Sequence, residues 1–375
     1  MGLSRRQFLV RTATCAVLFG LAPGLSACNG VIRHDSRKGE AYDALLGAIG
    51  QERTDMLWYA SLAPSSHNVQ PWTVIIDSDR WTIGSASSRW LPAVDPENRE
   101  MLLSVGAFVE NLTLAGSRFG IGVRSRVIAQ SPNDPELVEL QLSKVSPSGY
   151  PLERLEKRMT LRGPFQSQEI EASDFSSLID GDEGFFYFPP ASLEAAWLDE
   201  ATIAANRQQV KRQDVASELA SWIRWSDADA RQYRNGLTPE SMGITGLTGW
   251  YVRNFYGRDD VLNQDFRKNT VNRVVSQVAE SGGWIVVTSD NGTPSALIQA
   301  GRRFERMLLK ARGLSIGIHP MSQVLEEAPW KRDVRDALKV QKSPQLLLRV
   351  GYTRDYTDPV SVRMPLDRVV SFRAG

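Results

Sequence analysis

The stretch Leu62-Ala63-Pro64-Ser65-Ser66-His67-Asn68-Val69-Gln70-Pro71-Trp72 constrains this chain more than any other. A helix-like segment, Glu52 to Leu62, leads into it. Pro64 turns the chain, and a β-like run, Thr73 to Asp77, leaves it. Ser65, Ser66, His67, Asn68, Gln70 and Trp72 crowd hydroxyls, an imidazole, carboxamides and an indole into one loop. With regular structure on both sides, such donors and acceptors can meet the polar rim and the face of a planar heterocycle. The plainer alternative is a polar connection in which the proline and tryptophan merely pack.

A chain of 375 residues has room for two domains or one large one, with ample core. Its 44 basic residues nearly cancel its 43 acidic ones, so nothing suggests a nucleic-acid partner. The two cysteines are Cys15 and Cys28, which leaves the rest of the chain no disulfide, thiolate metal site or cysteine nucleophile. Histidines occur only at 34, 67 and 319, too scattered for a zinc site.

Ser4-Arg5-Arg6-Gln7-Phe8-Leu9 reads as a twin-arginine export motif, with Val10 to Leu21 as its apolar region. Leu25-Ser26-Ala27-Cys28 reads as a lipobox, so residues 1–27 are expected to be removed and Cys28 acylated. Each buried acyl methylene contributes about 0.8 kcal/mol, and several chains hold a protein on a membrane. The expected product leaves by the twin-arginine route and stays lipid-anchored, facing the periplasm or the cell exterior. A polar linker, 28–39, precedes the fold.

Residues 40–150 alternate helix and strand signals. A helical segment starts at Glu40 with Tyr42, Leu45, Leu46 and Ile49 apolar. Thr73–Asp77 and Trp81–Ser85 read as strands around the turn Ser78-Asp79. Asn98 to Phe119 is a helix with Leu102, Val105, Val109 and Leu112 on one face, ended by Gly120 and Gly122. Strand-like Val123–Ala129 and Glu136–Leu142 follow.

Residues 151–375 open with a short helix, Leu152–Arg158, and then Arg158-Met159-Thr160-Leu161-Arg162. In an extended segment Arg158, Thr160 and Arg162 share one side, where they can bind phosphate or carbonyl groups. A long helical region is expected over Ser192–Tyr233, with Trp197, Trp222 and Trp225 in helix contacts. Asn235–Leu262, rich in glycine and aromatics, predicts a lid or an interface arm. Gly283–Thr288 and Gln345–Gly351 read as buried strands. Pro294–Arg312 reads as a helix capped by Gly313, with Ala296, Ala300, Phe304, Met307 and Leu308 inward. The expected class is α+β.

The S-S-x-N-x-Q-P-W loop at 65–72 resembles a signature of the nitroreductase-type FMN-binding family, and 158–162 resembles its R-x-S-x-R string with Thr160 for serine. The chain looks like two such modules fused, 40–150 and 151–375, each keeping the half of the site that the other lacks. The late run Gly313 to Gln323 resembles the dormancy-associated, double-module branch. This resemblance implies a nitroreductase-like fold, an intramolecular pseudo-dimer, a monomer, and one FMN per chain. It implies that Arg158 and Arg363 hold the phosphate, with Thr160 on phosphate or ribityl. Arg162 would sit near the pyrimidine edge of the ring, where a cation favours the reduced flavin. Ser65, Ser66, His67, Asn68 and Gln70 would arrive from the first module, and Ile318, His319 and Pro320 would face the ring. Ser361 stands where the family often has a second basic residue, which implies weaker phosphate binding.

The implied activity is ping-pong, two-electron transfer through FMN to a nitro, quinone or similar acceptor. The donor would be NAD(P)H, a quinol or a partner protein. No protein group need be the acid or base, though His67 and His319 are candidate proton donors. Two alternatives remain open: a non-catalytic FMN holder covered by the 235–262 insertion, and a tethered interaction protein whose flavin site has decayed.

Overall fold

The computed structural model describes residues 40–373. The export motif, the lipobox with Cys28, and the linker lie outside the described residues.

Helices α1 (Glu40–Ile49) and α2 (Gln51–Ala60) are separated by Gly50, whose φ of 83° suits a residue without a side chain. The chain then builds a hairpin, β1 (Trp72–Asp77) and β2 (Arg80–Ser85), around Ser78-Asp79. In β1, Trp72, Val74 and Ile76 point into the core, the period-two pattern of a half-buried strand. Helix α3 (Arg99–Arg118) and strands β3 (Ile121–Val127) and β4 (Glu136–Lys144) complete this part.

The second part begins with α4 (Glu153–Lys157), α5 (Ala172–Ile179) and β5 (Phe185–Phe188). The region expected as one long helix is three: α6 (Leu193–Gln209), α7 (Gln213–Trp222) and α8 (Asp227–Tyr233). Local capping explains the second break, where Ser226 with Asp229 forms a reciprocal capping box that starts α8. Ser192, whose side chain accepts from the Ala195 N–H, starts α6 where the region was expected to begin. Helices α9 (Gly246–Phe255), α10 (Arg258–Val261) and α11 (Gln264–Ala279) follow. Strand β6 (Trp284–Ser289), helix α12 (Pro294–Ala311), β7 (Ile316–Pro320), α13 (Trp330–Ala337), β8 (Ser343–Tyr352) and β9 (Val370–Phe372) end the fold. Gly313 does not cap α12. A 3-10 turn prolongs the helix, and Ser315, with φ 55°, takes the left-handed position.

Two sheets result. The first has the order β3-β4-β2-β1-β9 and the second β5-β6-β8-β7. Strand β9, from the end of the chain, pairs in parallel with β1, and the Val74 N–H donates to the Val369 carbonyl at 2.7 Å. The second sheet is covered on both faces. One packs on α12 through Ile285, Val287 and Leu348, the other on α6, α11 and α13 through Trp284, Val286 and Leu347.

Helix α3 is buried nearly all round, where the sequence pattern showed a single inward face. Its second covered side meets α12. The two helices approach at glycines: a Cβ on Gly106 would strike the Ile298 carbonyl oxygen, and one on Gly301 the Leu103 carbonyl oxygen. This helix pair joins the cores of the two sheets. Gly106→Ala or Gly301→Ala should therefore overpack the crossing and cost about 1–3 kcal/mol, read as a lowered Tm by calorimetry.

Candidate functional site

The loop leaves α2 through a turn in which the Ser61 N–H donates to the Leu57 carbonyl and the Ala63 N–H to the Ala60 carbonyl. Ser65 is extended. His67 (φ 47°), Asn68 (φ 53°) and Gln70 (φ 53°) then take left-handed conformations. Such residues cost about 1–3 kcal/mol each unless their surroundings hold them.

The carboxamides do the holding. Asn68 Nδ2 donates to the carbonyls of Gly236 (3.0 Å) and Val362 (3.1 Å), and its Oδ1 accepts from Arg363 Nη1 at 3.0 Å. Gln70 Nε2 donates to the Arg234 carbonyl at 3.0 Å, and its Oε1 accepts from the Met364 N–H at 2.9 Å. Each side chain thus ties the loop to the insertion on one side and to the C-terminal segment on the other. Their polar atoms are spent on backbone and, at Asn68 Oδ1, on the Arg363 guanidinium, so they shape the site rather than present free amides. The Gln70 N–H donates to Ser65 Oγ at 2.9 Å.

The 158–162 segment lies against β7, and the Leu161 N–H donates to the Ile318 carbonyl at 3.2 Å. Arg158 is buried at 7 % exposure. Its Nη2 donates to the Leu62 carbonyl at 3.1 Å, its Nε lies 3.6 Å from Glu305, and its buried Nη1 has no partner. Arg162 Nη1 donates to the Ser241 carbonyl at 2.6 Å. Arg363 donates through Nη2 to the Leu62 carbonyl at 3.0 Å.

Two clefts meet here. The smaller, about 60 Å³, is walled by Arg158, Thr160, Arg162, Ser361 and Arg363, with Asn68 and Ser241 opposite. The larger, about 310 Å³, lies between the loop and β7 and includes Ser66, His319 and Pro320. Pro64, Ser65, His67, Thr160 and Arg162 line both. The structure thus gathers the proposed hydroxyls, histidines and arginines of the two sequence motifs at one place. Gln70 and Ile318 are the exceptions: both are buried and line neither cleft, Gln70 with its amide on backbone and Ile318 in the second core. The aromatic side chains of the insertion also stand apart. Trp225, Val252, Tyr256 and Val261 form a separate small core, Trp250 is half exposed, and none of these lines a cleft. The larger cleft is roofed instead by Gln209, Val215 and Leu219.

Burial lowers the His67 pKa from 6.5 to about 4, with Glu100 opposing and Arg162 reinforcing the shift. Burial, then Arg162, Arg349 and Arg273, hold His319 well below the usual range. Both imidazoles are neutral near pH 7, so neither of these two candidate proton donors carries an extra proton there. Arg162 falls to about 10 through burial and Arg273.

Three carboxylates went unnoticed in the sequence. Glu100 accepts from Ser66 Oγ and from Arg99 Nη2 (2.9 Å), and Glu326 accepts from Gln209 Nε2 at 2.6 Å. Both line the larger cleft, and burial and Glu100 push Glu326 upward. Glu305 backs Arg158. Only this last one left a trace: it falls four residues from Gly301 and Leu309 on the inward row of α12. Among the described residues no group of acidic, histidine or cysteine side chains is arranged to hold a metal.

No family model matches the chain. A Serratia protein named "Probable NAD(P)H nitroreductase PigM" is 24% identical over 81% of this chain and 89% of its own length. The Mycobacterium tuberculosis protein Rv3127, named as uncharacterized, is 23% identical over 84% and 91%. The acg protein of the same species carries a provisional NAD(P)H nitroreductase name and is 25% identical over 84% and 94%. Among solved structures, the FMN-dependent nitroreductase NfnB of Mycobacterium smegmatis, in complex with NADPH, covers 60% of this chain and 93% of itself, at 14% identity and TM-score 0.36. An Anabaena variabilis structure, provisionally described as a nitroreductase, covers 88% and 93% at 9% identity and TM-score 0.46. Structural likenesses this loose carry no argument. The fold is α+β, as expected.

Because His67 is neutral when folded and titrates near 6.5 when unfolded, the unfolded chain binds more protons between those values. Its contribution to stability is full above pH 6.5 and is lost as pH falls toward about 4. The imidazole resonances of His67, followed by NMR, should stay at neutral positions from about pH 8 to about pH 5.5.

Proposed function

We propose that this chain is an FMN-dependent oxidoreductase of nitroreductase type, taking two electrons from a nicotinamide donor and passing them to a nitro, quinone or similar acceptor. One observation carries the reading. Arg158, nine-tenths buried, has an unpartnered Nη1 at a small arginine-lined cleft, and that cleft abuts a larger one between the modules. A guanidinium with an unspent donor suits a phosphate, and a neighbouring slot of mixed polarity suits a ring. The names of the sequence relatives support the same chemistry.

Arg158, Thr160 and Arg363 would surround the phosphate. Ser65, His67 and Arg162, at the junction, would meet the ribityl chain and the near edge of the ring. His319 and Pro320 on β7 would form one wall of the ring slot and Ser66 the other. FMN supplies the electron-carrying chemistry when bound. The protein's part is to hold the ring, to place the Arg162 cation beside it, and to offer uncharged imidazoles as hydrogen-bonding groups. Arg162 then favours the reduced, anionic ring.

The cleft volume of about 310 Å³ lies at the low end for ligand pockets, with room for one ring system and little else. That favours, as a second reading, a protein that holds FMN without turning it over. On the sequence motif alone, we also propose a lipid anchor at Cys28. Cys28→Ser should shift the mature protein from the membrane to the soluble fraction and abolish incorporation of labelled palmitate.

The purified protein should show flavin absorbance, release FMN, and bleach when NADPH is added without oxygen. A nitroaromatic should restore the colour. Arg158→Ala should weaken FMN binding at least about tenfold, from loss of a charged hydrogen bond worth about 1.5–3 kcal/mol, and leave riboflavin binding nearly unchanged. Absence of any flavin binding overturns the proposal. Bound flavin that no donor bleaches selects the second reading.

A further inference from the structure

Glu305 lies on α12 with no solvent exposure. Neither carboxyl oxygen has a hydrogen-bond partner, and its nearest cation is Arg158, with Nε 3.6 Å from Oε1. Asn111 of α3 lies close by, outside good hydrogen-bond geometry. Glu110, also on α3, is itself occupied by Arg302 Nε (2.8 Å) and Arg306 Nη1 (3.0 Å). A buried carboxylate so poorly supplied with donors is costly to charge. Arg158 therefore stands between two places for an anion: Glu305 behind its Nε, and the small cleft that it lines.

We propose that Glu305 is a positioning residue that trades its charge for that of a bound phosphate. It holds the Arg158 guanidinium while the small cleft has no anion, and it takes up a proton from solvent when a phosphate dianion arrives. This rests on the flavin reading above.

The electrostatics give the sign. Burial raises the Glu305 pKa from 4.5 to about 7, against the opposing pull of Arg158, Asn111 and Arg363, with Glu110 adding to the rise. A dianion on the far side of Arg158 occupies the cation that Glu305 relies on and adds negative charge, so it raises that pKa further. Phosphate therefore binds the protonated form more tightly, and affinity falls as pH rises from 7. One other cleft group shares this window: burial and Glu100 push Glu326 up to about 8, and it lines the larger cleft, where FMN and riboflavin would place the same ring. The phosphate's second ionisation lies near pH 6, both histidines are shifted down, and Arg162 titrates at about 10. Tyr150, which also feels Glu305, is shifted upward by burial.

The experiment is titration calorimetry on the full chain in detergent, freed of flavin, with FMN and with riboflavin. A rise of about one pKa unit corresponds to tenfold coupling. FMN affinity should then fall about fivefold from pH 7 to pH 9, with about half a proton taken up near pH 7.5, measured in buffers of different ionisation heat. Riboflavin carries any Glu326 contribution without the phosphate, so these effects are read as the difference between FMN and riboflavin, and Glu305→Gln should bind FMN with only riboflavin's pH slope. FMN binding with no more proton uptake than riboflavin, or a slope beyond riboflavin's that survives in Glu305→Gln, overturns this inference alone. The wild-type proton count decides the matter by itself should that variant fail to fold. If neither flavin binds, the flavin reading falls and this inference with it.

Discussion

Two guanidinium groups share the carbonyl oxygen of Leu62: Arg158 Nη2 at 3.1 Å and Arg363 Nη2 at 3.0 Å. One arginine opens the second half of the chain and the other nearly closes it, while Leu62 belongs to the first half. Both arginines are buried, and hydrogen bonds from charged donors contribute about 1.5–3 kcal/mol each. The loop that follows Leu62 is consequently anchored before it makes its left-handed turns. Asn68 and Gln70 complete the anchorage against the backbone of 234–236 and 362–364. Such a network is stable only when nearly every member is satisfied. The exceptions are therefore informative, and Arg158 Nη1 is one of them.

Below this junction the α3–α12 pair sets the distance between the two sheets. With glycine at 106 and 301 the helices meet backbone to backbone, and the first sheet and the second each pack on one side of the pair. The loop at the end of α2 and strand β7 are thus brought face to face, with the larger cleft between them. Strand β9 closes the arrangement by joining β1, so the segment carrying Arg363 is pulled across the first module. The site is made of pieces far apart in sequence, and the rigid helix pair is what keeps them in register.

The sequence motifs supplied many of the polar and charged groups that line the clefts, though not most of the lining. Ser65, Ser66, His67, Thr160, Arg162, His319 and Pro320 were all legible there, because hydroxyls, cations and imidazoles cluster in short strings. Roles were harder to read. Asn68 and Gln70 look like ligand-binding amides on paper, yet their shortest hydrogen bonds run to distant main-chain atoms and the Arg363 guanidinium, all more than about 160 positions away. The histidines look like acids until burial is known. Glu100 and Glu326 are ordinary surface-type residues by composition, and only the approach of α3 to the end of β7 makes them cleft walls. Ser192 and Ser226 were readable helix starts within the region taken as one helix.

By itself the sequence determined the α+β class, the strand and helix periodicities of the central elements, and two short strings rich in polar groups. These are local properties: a side chain's neighbours at two, three or four residues settle which face can be buried. Tertiary structure alone decided that α3 would be enclosed on two sides, that β9 would complete the first sheet, and that Glu305 would stand behind Arg158 without solvent. Those outcomes depend on which backbone carbonyls and apolar surfaces meet across hundreds of residues. Burial, which sets the charge of His67, His319 and Glu305, exists only once they have met.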